Sequence, residues 1–112
     1  MGGLMTLYAV TAYNHVFSRG AALSPSLWTS PWKIELFIRK SRIAPDTVLY
    51  MDYGSEELGW RSMEKTFGRI SARLLEKKVT LTSRIVPGGN HSVGSWERQI
   101  PFFMDILFYG LD

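Results

Sequence analysis

The sequence predicts an α/β fold built on a three-stranded parallel sheet flanked by helices. Three observations point there. Helix-like and strand-like stretches alternate along the whole chain, and alternation of this kind favours a parallel sheet with right-handed crossovers. The middle strand-like run, 47–53, is nearly all apolar, as a strand covered on both faces would be. Turn-forming stretches rich in Gly, Pro and Ser follow each strand-like run, where parallel sheets gather their functional groups.

In chain order, residues 2–13 place Leu4, Leu7, Tyr8 and Thr11 at helical spacing, with Met5, Ala9 and Ala12 on the other side. Such a helix is expected to be buried around most of its circumference. Residues 17–24 read as a short buried strand ending at Pro25, and Pro25, Ser26, Leu27 and Trp28 form a loop. Ser30 as N-cap and Pro31 at the first helical position open a second helix, which carries Trp32, Ile34, Leu36, Phe37 and Ile38. Arg39, Lys40 and Arg42 sit where cations complement a helix's carbonyl end. After the 47–53 strand, residues 61–78 make the clearest amphipathic helix: Met63, Phe67, Ile70 and Leu74 fall on one face with charges around them. A third strand, 80–86, alternates Leu81, Ser83 and Ile85 against Thr80, Thr82, Arg84 and Val86. Ser95 is expected to cap a last helix running to Tyr109, with Gly110 as its stop and Pro101 kinking it or delaying its regular part.

Composition narrows the function. At 112 residues the chain is one domain by length, and 46% hydrophobic content excludes disorder. No apolar run approaches the roughly 18 residues of a membrane span, so no membrane partner is expected. Thirteen basic residues against ten acidic ones, scattered rather than striped, argue against nucleic-acid binding. The absence of cysteine excludes disulfides, zinc–thiolate sites and cysteine nucleophiles, and fits a cytoplasmic protein. His15 and His91 stand far apart without tightly spaced carboxylates, so neither a metal nor another cofactor is expected.

The loop Pro87-Gly88-Gly89-Asn90-His91-Ser92 displays one histidine, and the loop one strand earlier carries Glu56 and Glu57. An acid that accepts a hydrogen bond from one imidazole nitrogen leaves the other free to take a proton from a nucleophile. On spacing alone a solvated loop histidine is the commoner case, and Glu56 and Glu57 are ordinarily surface charges at the start of a helix, where the dipole favours them.

Three segments together carry a resemblance: Ser24-Pro25-Ser26-Leu27-Trp28, Asp52-Tyr53-Gly54-Ser55-Glu56-Glu57, and Gly88-Gly89-Asn90-His91-Ser92 followed by Ser95-Trp96-Glu97. In this order they resemble the esterase family of α/β-hydrolases that includes feruloyl, acetyl-xylan and enterochelin esterases, S-formylglutathione hydrolase and mycolyltransferases. The resemblance implies that residues 1–112 form a single partial domain, the C-terminal half of that fold. It makes His91 the catalytic base and Glu57 the best match to the acid, with Glu56 and Asp52 as runners-up. Trp28 would line the substrate cleft, although a packed loop aromatic accounts for it as well. Met1-Gly2-Gly3-Leu4 resembles the residues just after the serine of a Gly-x-Ser-x-Gly-Gly nucleophile elbow, so the nucleophile itself is expected to be missing. Neither Ser24, Ser26 nor Ser92 replaces it, since none has the elbow's flanking glycines. The implied function is ester hydrolysis on a small-molecule substrate, idle in this chain alone. The alternative is a non-catalytic α/β unit that pairs through an exposed sheet edge, with a copy of itself or with an N-terminal partner.

Overall fold

The computed structural model describes residues 2–23, 25, 27, 31–55 and 60–108. Its elements follow the expected alternation: α1 (Gly2–Ala12), β1 (Arg19–Leu23), α2 (Pro31–Lys40), β2 (Val48–Gly54), α3 (Trp60–Glu76), β3 (Thr80–Val86), α4 (Val93–Glu97) and α5 (Ile100–Phe108). The three strands form one parallel sheet in the order β1-β2-β3. Leu49 of β2 stands between Gly20 and Leu81, and Asp52 between Leu23 and Arg84.

β2 is central and buried on both faces, which is why its sequence carries almost no polar alternation. Its odd-numbered residues Leu49, Met51 and Tyr53 join one apolar cluster with Leu7 and Val10 of α1, Ile38 of α2, and Phe67, Ile70 and Leu74 of α3. Three helices therefore share one face. Tyr50 points the other way, into Phe102 and Phe103 of α5, at ring separations of 5.8 and 5.7 Å. α5 covers the opposite face, completing a three-layer arrangement.

Two small residues set how closely α1 approaches. A Cβ on Gly20 would come within 2.7 Å of Val10 Cγ2, and one on Gly3 within 2.4 Å of the Leu23 carbonyl oxygen. The first turn of α1 consequently rests on the carboxyl end of β1. The expectation that α1 is buried nearly all round is corrected here: Met5 is 59% exposed and Tyr8 45%. Sheet and α2 cover only part of its circumference, with Tyr8 stacked on Phe37 at 5.3 Å.

α2 and α3 are also joined by charge. Glu35 accepts from Arg69 Nη2 at 2.7 Å and from Arg73 Nε at 2.8 Å. The hydrogen bond from Arg73 leads in holding the Glu35 carboxyl below its ordinary range, against the opposing effect of desolvation, with Arg69 assisting. α3 stops earlier than the periodicity suggests. Lys78 adopts φ 62°, its N–H bonds to the Leu75 carbonyl, and the Val79 N–H reaches back to Leu74, a Schellman termination with lysine where glycine is commoner.

The C-terminal helical segment departs from expectation in its cap. Its N-cap is Ser92, not Ser95: Ser92 has extended backbone angles and its Oγ accepts from the Ser95 N–H at 3.3 Å. The segment is broken in two at Arg98 and Gln99, and α5 restarts with Pro101 in its first turn, where a missing N–H costs nothing; this is the delayed regular part expected of Pro101. Ser30, Tyr109 and Gly110 lie outside the described residues, as does the side chain of Met63.

Candidate active site

β2 and β3 end side by side, and their loops are fastened together by backbone contacts that only glycine permits. A Cβ on Gly54 would lie 2.2 Å from the Gly89 carbonyl group. The Ser55 N–H donates to the Val86 carbonyl at 3.0 Å, and the Gly88 N–H donates to Ser55 Oγ at 2.8 Å. Gly88 takes φ 72°, a conformation glycine adopts without steric cost, and turns the chain out of β3. The stretch that leads into Glu56 and Glu57 is thus tied, as far as Ser55, to the loop that carries His91.

His91 is exposed at the loop's tip, edge-on to Trp96 of α4 with ring centroids 4.9 Å apart and planes at 87°. The same two rings face the start of α1. His91, Trp96, Gly2, Gly3, Thr6, Ala21 and Leu23 line one cavity of about 290 Å³. Thr6 brings a hydroxyl to this lining, but it donates to the Gly2 carbonyl at 3.0 Å, an ordinary helical back-bond. Ser92 Oγ is likewise engaged, accepting from Ser95 N–H and donating to Asn90 Oδ1. Neither hydroxyl is arranged as a nucleophile activated by imidazole.

Of the three acid candidates, Asp52 is described. It is 2% exposed, and its Oδ2 accepts from the Tyr50 hydroxyl at 2.6 Å. Burial foremost, then Asp52, pushes the Tyr50 hydroxyl far above its ordinary range, so it remains a donor to the carboxylate. Glu57, Glu56, Trp28, Ser24 and Ser26 lie outside the described residues. His15 stands exposed at the opposite end of the sheet, lining a broad cleft of about 1090 Å³ with Asn14, Arg42 and Asp46. Among the described residues no three His, Asp or Glu side chains gather as a metal site, and no helix is long and apolar enough to cross a membrane.

Sequence reasoning took Asp52 only as a runner-up for the acid and assigned no role to Arg84 and Gln99. Arg84 lies beside Asp52 in register, its guanidinium 4.3 Å from the Phe102 ring centre, and Arg84 Nη2 donates to Gln99 Oε1. The available signal was an aspartate and an arginine inside strands that are otherwise apolar or small. No family model matches the chain, and no curated protein does.

Proposed function

We propose that this chain is the base-bearing part of a serine carboxylic-ester hydrolase of the α/β-hydrolase type, corresponding to the C-terminal half of that fold. The observation that carries the reading is the cavity in which His91 and Trp96 face Gly2 and Gly3. A nucleophile at a strand-to-helix elbow stands at a helix's first turn, where backbone N–H groups can also receive an oxyanion. The first turn of α1 and the His91 imidazole line one cavity, which supports the reading.

In the mechanism His91 takes the proton from a serine hydroxyl as the serine attacks the ester carbonyl. It then returns the proton to the departing alcohol, leaving an acyl-enzyme that water hydrolyses by the same steps. Glu57 orients the imidazole. Asp52 is the weaker choice because its carboxylate already receives the Tyr50 hydroxyl in the sheet interior. Trp96, and Trp28 by resemblance, form apolar walls for a small-molecule ester. The Thr6 and Ser92 hydroxyls near the imidazole are both engaged elsewhere, so the chain alone is predicted to hydrolyse p-nitrophenyl acetate no faster than its His91→Ala variant. Robust turnover abolished by His91→Ala would overturn this, placing the nucleophile on one of the chain's own hydroxyls.

A second reading, a non-catalytic unit that pairs through its sheet, is favoured by one observation: β1 and β3 are edge strands of the described sheet, with Ile85 on β3 48% exposed. Light scattering separates the two, since a strict monomer at micromolar concentration counts against pairing.

A further inference from the structure

Three of the buried polar side chains, Asp52, Ser95 and Gln99, belong to one chain of interactions that leads from the sheet interior to the residue before His91. Tyr50 OH donates to Asp52. Beside Asp52, Arg84 donates through Nη2 to Gln99 Oε1. Gln99 Nε2 donates to the Ser95 carbonyl at 3.2 Å, and Ser95 Oγ accepts the backbone N–H of Asn90 at 3.3 Å. Gln99 is 6% exposed and Ser95 4%, so both are withheld from water and need these partners.

Gln99 stands at the junction, because its side-chain oxygen accepts from Arg84 while its side-chain nitrogen donates to the Ser95 carbonyl. It also sits in the break between α4 and α5, its N–H bonded to the Trp96 carbonyl and its own carbonyl receiving the Phe103 N–H, so its backbone is held by both helices. A glutamine placed on the loop side of Arg84 transmits the position of a charged, strand-borne group to α4. α4 in turn holds the histidine loop through Ser95, and carries the Trp96 ring against which His91 stands.

We propose that Gln99 is a positioning residue for His91: it couples the Arg84 guanidinium to Ser95 and thereby fixes the Asn90–His91 backbone and the His91–Trp96 arrangement. That His91 is a general base rests on the function proposed above, whereas the positioning of its loop by Gln99 does not.

The chain has two histidines, and His15, at the other end of the sheet, serves as an internal control. NMR of Gln99→Leu is expected to show His91 ring resonances moving toward those of an unrestrained histidine while the His15 resonances stay. The Asn90 amide should exchange about tenfold faster, the factor that one net hydrogen bond carries. Gln99→Glu keeps an acceptor for Arg84 but loses the donor to the Ser95 carbonyl, and is expected to move His91 as the leucine variant does. Unchanged His91 and Asn90 signals in Gln99→Leu overturn the proposal. Should that variant unfold, seen as both histidines shifting together, Ser95→Ala decides: it removes only the hydroxyl, and an unaltered Asn90 amide then overturns the proposal. Ester turnover plays no part in this readout, so failure of the hydrolase reading leaves the result for Gln99 standing, and the reverse.

Discussion

The two faces of the central strand are held by different chemistry. On one, Leu49, Met51 and Tyr53 meet three helices in an apolar cluster whose members are almost wholly buried. On the other, Tyr50 and Asp52 meet Arg84, Gln99 and the rings of Phe102 and Phe103. Apolar packing is non-directional and scales with the area removed from water, so the first face supplies stability and tolerates shape changes poorly. Hydrogen bonds are worth less in net free energy but fix directions, so the second face specifies where its neighbours stand. The histidine loop is fastened to that directional side.

Breaking the apolar face is expected to have the largest effect. Leu74→Ala removes a fully buried side chain from between α3 and β2, and should cost about 2 to 5 kcal/mol in denaturant unfolding. The His91–Trp96 contact should survive in the folded fraction.

Tyr50→Phe comes next. It leaves the ring packing on Phe102 and Phe103 but deletes the hydroxyl that meets Asp52, and should cost about 2 kcal/mol at neutral pH. It should also change the alkaline limb of stability. Tyr50 stays protonated in the fold while the unfolded chain ionises near the ordinary tyrosine value of about 10, so the contribution is fully present below that pH and is lost as pH rises above it. In the variant this fall should be shallower, with a remnant from Tyr53, whose hydroxyl is raised by burial and by Glu64. Thermal unfolding between neutral and alkaline pH checks both.

The smallest effect is expected at the outer rim of the apolar layer, where Glu35 meets two arginines. Its lowered carboxyl contributes stability above the ordinary glutamate value of about 4.3, and that contribution is lost as pH falls through the lower folded value. Glu35→Gln should flatten this part of the acid limb while leaving the Tyr50-dependent alkaline limb intact. Equal acid limbs in the two proteins would show that Arg69 and Arg73, partly exposed as they are, add nothing measurable.

Much of the fold was legible because its signals are local. The apolar run of β2, the four-three-four spacing on α3 and the Pro31 start of α2 each reflect a short-range rule, and all three elements stand where those rules put them. The last helix was misread because Ser92 and Ser95 are both plausible caps three residues apart. The choice falls to Ser92 because its own Oγ takes the Ser95 N–H. The exposure of Met5 and Tyr8 was not legible either, since periodicity says which residues share a face, not which faces find a neighbour. At the site, His91 announced itself through the glycines before it. The Tyr50, Asp52, Arg84 and Gln99 group did not, because strand register and the break at Arg98 and Gln99 bring together residues that no sequence spacing connects.

The most direct test of His91 as a base is fluorophosphonate labelling of a longer chain in which a β-strand and a Gly-Xaa-Ser turn are placed immediately before Met1. The account predicts that the added serine is labelled, and that His91→Ala slows labelling by about a hundredfold or more, the scale of general-base assistance. No labelling, or equal rates with and without the imidazole, would contradict it.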